Sequence, residues 1–172
     1  ETLEQWMSEN TIFIEQEEVK PLSLQDKERW LVLLVDFDDE PTSESWGPNQ
    51  AQTLLDDIAK KYIVQLSGSM TEIQIDVNTK VSRASGPVSN YGTDSNGNRD
   101  MSPDGTFLPM LLAEETVGDH ETYVDWDEYD LDADGFVDRL LILHTTKGQE
   151  ENPSQTSKIW SHFTVFEEPI EV

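Results

Sequence analysis

The order of apolar patterns predicts an α/β (α+β) sheet domain. Three observations carry this. An almost uninterrupted apolar run, Trp30-Leu-Val-Leu-Leu-Val-Asp-Phe37, reads as a central strand buried on both faces. An apolar stripe at helical spacing follows it. Two further strand patterns, the second with a helical pattern before it, complete the order strand, helix, strand, helix, strand.

The elements follow in chain order. Residues 1–28 are acidic and weakly patterned, and read as a propeptide remnant or a linker ahead of a single domain over 29–172. The first strand, Trp30–Phe37, ends in Asp36, Asp38, Asp39 and Glu40, an acidic cluster read as a solvated strand end. Over 50–67, Ala51, Leu54, Leu55, Ile58, Ala59, Tyr62, Ile63 and Leu66 form one apolar stripe. Asn49 is the expected N-cap, with Gln52 three residues on, and Gly68 the expected stop. Ile73, Ile75 and Val77 alternate with Glu72, Gln74 and Asp76, a strand with one buried face. Residues 78–105 are rich in Gly, Ser, Asn and Pro and read as a long surface loop. A helix is expected over 106–117, with Phe107, Leu108, Leu111 and Leu112 as its apolar face. The run Leu140–Leu143 is a strand, and a last short strand is expected at Ile159 and Trp160.

Composition narrows the classes of function. The chain has 172 residues, 35% of them apolar, with Trp30, Trp46, Trp126 and Trp160 spread along it, which fits a folded domain. It carries 36 acidic against 11 basic residues, a formal charge of -25, which repels nucleic-acid phosphates and anionic lipid. Such a surface suits cation binding, a saline setting or plain solubility. Without cysteine there are no disulfides, thiolate metal sites or cysteine nucleophiles. No stretch approaches the ~18 apolar residues of a membrane span. The chain starts at Glu1 and shows no export signal, so it reads as a processed or excised piece.

The strongest local signal is Asp130-Leu-Asp-Ala-Asp-Gly-Phe-Val-Asp138. Calcium takes six to eight oxygen ligands at roughly 2.3–2.6 Å. Carboxylates of Asp130, Asp132 and Asp134 at loop positions 1, 3 and 5 converge if Gly135 makes the sharp turn between them. Phe136 offers its carbonyl at position 7 and Asp138 an oxygen at position 9. Val137 is apolar, as an anchor to the core should be. Position 12 is Leu141, inside a strand, so the bidentate Glu of a helix-loop-helix calcium hand is missing. The bland reading is an acidic turn, but four aspartates in nine residues repel one another without a cation.

A second candidate calcium loop, Asp94-Ser-Asn-Gly-Asn-Arg-Asp100, alternates oxygen side chains, yet its Gly is misplaced and Arg99 intrudes, so a solvated loop is the reading preferred over a second calcium site. His120, His144 and His162 lack the i, i+4 spacing of a helical zinc motif and read as packed residues. No nucleophile elbow, phosphate loop or dinucleotide fingerprint occurs.

Several of these segments, in order from Trp30 to His162, resemble the immune inhibitor A family of secreted zinc metallopeptidases. They are Trp30–Phe37, Val124-Asp-Trp-Asp-Glu-Tyr-Asp130 running into the acidic loop, Val137–His144, Lys147-Gly-Gln-Glu150 and Ile159-Trp-Ser-His162. The resemblance implies a twisted mixed sheet with packed helices, an extracellular endopeptidase acting on protein or peptide, and a structural calcium at the loop. It also implies one catalytic zinc on a His-Glu-x-x-His helix that follows the Trp-Ser-His element. That motif is not in this sequence, so no residue here inherits a zinc-ligand or general-base role. The expectation is therefore the N-terminal part of such a catalytic domain, whose partner is the rest of the peptidase chain. The alternative is a noncatalytic calcium-dependent binding or structural module on the same fold. A third is an acidic inhibitor or propeptide.

Overall fold

A computed structural model describes residues 27–43, 46–164, 166 and 170–172. The linker expected over 1–28 lies outside the described residues except for its last two.

The sheet has three strands in the order β2-β1-β3. Strand β1 spans Lys27–Asp36, β2 Glu72–Arg83 and β3 Leu140–His144. Both pairings are parallel, where a mixed sheet was expected. The reason lies in the connections: each joins strands through helical crossovers rather than a tight turn, which returns the chain in the same direction. Central β1 is apolar on both faces because both are covered. Val32 and Leu34 pack with Ile73, Ile75 and Ala51 on one side. Leu31 and Leu33 pack with Val117 and Tyr129 on the other, and Val35 and Phe37 extend that side toward Tyr91, Leu112 and Ile159.

The first crossover is one helical rod in three parts: α1 Pro48–Leu54, a π-helical stretch Leu55–Lys60, and α2 Lys61–Leu66. It begins earlier than the Asn49 cap predicts. Gly47 is the N-cap and Pro48 occupies the first turn, where its missing N–H costs nothing. It ends where expected. Gly68 sits at φ 64°, Ser69 N–H reaches Val64 O and Gly68 N–H reaches Gln65 O, a Schellman closure.

Strand β2 runs six residues past the expected Val77, to Arg83. Val32 pairs with Val77 but Leu34 with Val81, so Asn78, Thr79 and Lys80 bulge from the ladder before pairing resumes. The supposed loop over 78–105 also contains α3, Ser89–Gly92. Helix α4 covers Leu108–His120, three residues beyond the expected end. Its last turn is held by His120, fully buried, whose Nδ1 lies 3.0 Å from Ser82 Oγ and 2.8 Å from Thr116 O.

No strand forms at Ile159 and Trp160. The segment is instead held crosswise: Gln149 N–H donates to Ile159 O, and Trp160 N–H donates to Asp100 Oδ2. No helix among the described residues is long and apolar enough to cross a membrane.

Candidate metal centre

The acidic loop sits between a 3-10 turn, Trp126–Tyr129, and β3. Both flanks are fixed to the sheet. Tyr129 is buried against Leu31 and Leu33, and Val137 packs into the same cluster, the anchoring expected of it. Asp138 N–H donates to Tyr129 O, closing the base of the loop. Arg139, directly after it, pairs with buried Glu28 of β1 at 2.9 Å. A buried pair of this kind costs several kcal/mol when one partner is removed, so it fixes the loop's exit.

Between these anchors the backbone curls. Ala133 at φ 57° and Gly135 at φ 90° occupy the left-handed region; the glycine does so without steric cost. The curl aims N–H groups at carboxylates. Asp134 N–H donates to Asp130 Oδ1 and Gly135 N–H to Asp130 Oδ2. Leu131 N–H donates to Asp138 Oδ2, drawing the last aspartate back over the first turn. Asp130, Asp132 and Asp138 each present a carboxylate oxygen, and these oxygens lie within 4.8 Å of one another. Oxygens about 2.3–2.6 Å from one calcium ion fit inside that spacing.

Asp134 stands apart from the other three aspartates. Asp134 is outside the converging group, and its Oδ1 accepts Phe136 N–H at 3.0 Å. The Phe136 ring is mostly exposed. The sequence ranks all four aspartates alike because side-chain periodicity says nothing about which one turns into a local Asx bond.

Two acidic segments read as solvated are exposed over much of their length, but each buries one aspartate. Asp36 is buried at the carboxyl end of β1, where Arg83 and the Thr42 N–H and hydroxyl bind it. Burial works to raise its pKa, but those bonds prevail and hold it below the ordinary carboxylate value. Asp100 is fully buried in the loop over 93–101, against the segment carrying Trp160 and His162. Burial pushes its carboxyl upward, opposed by His162 and the Trp160 N–H. The only trace of Asp100 in the sequence is the alternation of Asp94, Asn96, Asn98 and Asp100. The partners that bury it are some sixty residues away, at 160 and 162.

The histidines do not assemble. His120 faces Ser82, His144 Nδ1 faces Thr146 Oγ1, and His162 faces Asp100. Among the described residues, the acidic group at 130, 132 and 138 contains no histidine. Compared with known proteins, the chain matches no family model and no curated protein.

Proposed function

We propose that this chain is the N-terminal part of the catalytic domain of a secreted zinc metalloendopeptidase of the immune inhibitor A kind, and that its loop over 130–138 holds a structural calcium. The observation that carries the reading is the convergence of Asp130, Asp132 and Asp138 on one point of a loop anchored at both ends to β1. Calcium there cancels the mutual repulsion of the aspartates and fixes the entry to β3. Strand β3 is at the sheet edge with its apolar side chains only partly buried, and this edge is where a further part of a catalytic domain would pack. The donor set suits calcium and not zinc, which takes nitrogen or sulfur ligands at most tetrahedral sites. The residues described do not fit a catalytic zinc, and no hydrolytic step is assigned to them.

The test is thermal unfolding with and without calcium. An ion present at about a hundred times its Kd adds about 2.7 kcal/mol. For a chain of this size that raises Tm by roughly 5–10 °C. The shift disappears in Asp130→Asn. An unchanged wild-type Tm in excess calcium rejects the calcium assignment. The isolated chain is expected to show no turnover of casein; chelator-sensitive turnover would reject the proposed division of labour.

A further inference from the structure

We propose that a second hard divalent cation, calcium by its donor chemistry, binds where the loop over 93–101 is clasped against residues 149–160, with Asp94, Asp100 and Gln149 as oxygen ligands. This site is independent of the loop over 130–138 and does not rest on the calcium reading of it.

The clasp is tight. Asp94 N–H donates to Thr156 O, and Trp160 N–H donates to Asp100 Oδ2 at 2.8 Å. Gly92, just before the loop, lies so close to Lys158 and Ile159 that an added Cβ would sit 2.5 Å from their backbone. Inside the clasp, Asp100 N–H donates to Asp94 Oδ1, and the amide of Gln149 reaches Asp94 Oδ2 at 2.9 Å. The Asp94 carboxylate therefore bridges the backbone of Asp100 and the amide head of Gln149.

Their hydrogen bonding is incomplete. Asp100 is 0% and Gln149 1% exposed. Asp100 Oδ1 and Gln149 Oε1 nevertheless have no hydrogen-bond partner; the one other such buried oxygen among the described residues is Thr145 Oγ1, just beyond β3. Leaving a buried acceptor unmatched costs about 1–3 kcal/mol, more if it is charged. Asp100 Oδ2 is paired with His162 Nε2, but this leaves Oδ1 unmatched, and neither Asp94 nor Asp100 has a lysine or arginine ion pair among the described residues; Arg99 lies over the Trp160 ring instead. A cation satisfies both orphaned oxygens and both negative charges at once. Oxygen-only donors select a hard ion, and calcium accepts crowded, irregular protein oxygens where magnesium retains its waters.

Trp160 beside the site supplies a reporter. Terbium, which substitutes for calcium, is titrated into the Asp130→Asn/Asp132→Asn chain, and emission is excited through tryptophan. One ion per chain with emission displaced by excess calcium is expected. That emission is lost in Trp160→Phe, which keeps the backbone N–H, and in Asp100→Asn; Asp94→Asn, at a less buried position, repeats the test should Asp100→Asn fail to fold. No calcium-displaceable emission in the Asp130→Asn/Asp132→Asn chain overturns the proposal, as does emission that persists in both Asp94→Asn and Asp100→Asn. Calorimetric counting of calcium separates this site from the other. Wild type binds two ions and Asp130→Asn/Asp132→Asn one. One ion in wild type and none in the double variant rejects only the present site, whereas one ion in each rejects only the loop over 130–138.

Discussion

Single acidic residues in this chain differ by environment far more than by type. Asp36 shows it best. Its carboxylate lies at the end of the most buried strand, receives the Thr42 N–H at 2.7 Å and is bracketed by Arg83. The sequence shows only an acidic strand end, because Thr42 and Arg83 reach it from other segments. Its pKa is depressed in the folded chain, so its contribution is fully present above the ordinary value of 3.8 and is lost as pH falls through the folded value. Asp36→Ala strands the Thr42 N–H and should lower stability at neutral pH by about 2 kcal/mol. The gap between wild type and Asp36→Ala should then narrow on acidification below pH 3.8. Urea unfolding of both proteins across the acid range measures this; a gap that stays constant would show that Asp36 is not held ionised by its partners.

At the scale of elements, the parts read correctly from sequence are those whose pattern is local. The double-sided burial of β1, the alternation of Ile73, Ile75 and Val77, the Gly68 stop and the strand at 140–144 all follow from side-chain spacing. The parts misread depend on distant partners: the bulge that carries β2 on to Arg83, and the segment at 159–161, where the Trp160 and Ser161 N–H groups go to side chains. The π-helical stretch is an intermediate case, visible in the sequence once its arithmetic is done. The inward residues Ala51, Leu55, Ala59 and Ile63 recur every four positions. An α-helix of about 3.6 residues per turn lets such a stripe drift by about 40° at each step. The wider i→i+5 turns over Leu55–Lys60 turn it back toward the sheet. Deleting exposed Asp57 would convert the inward spacing to four, three and four, an ordinary α-helical stripe. That variant should fold with its helix intact and change stability by less than about 1 kcal/mol, the surface ion pair to Lys61 being of little worth. Inserting an alanine at the same point should destabilise by several kcal/mol, as inward residues rotate off the sheet. Circular dichroism and thermal melting of the two variants decide it; equal damage from both would mean that the stretch is not relieving a misfit of spacing.

For the whole molecule the governing quantity is the formal charge of -25. Fixed at this size, it works against compaction through self-repulsion. Two opposing responses to salt follow. Screening weakens the ion pairs the fold does make, such as Lys61–Asp57 and Lys147–Glu151, but these are exposed and contribute little. The buried Arg139–Glu28 pair is screened much less. Screening also relieves repulsion among the excess carboxylates, which is long-ranged and has no compensating partner, so the second effect wins. Raising sodium chloride from about 0.01 M to about 1 M shortens the Debye length from ~30 Å to ~3 Å and should raise Tm. Calcium at matched ionic strength should add a further increment, because site binding and screening are separate contributions. Replacing Asp130, Asp132 and Asp100 together by asparagine should remove the calcium increment and leave the sodium response. A Tm that falls with sodium chloride would mean that native ion pairs outweigh the repulsion. A calcium increment that survives the triple replacement would mean that the ion acts as a diffuse counterion, and not at the carboxylates the fold gathers.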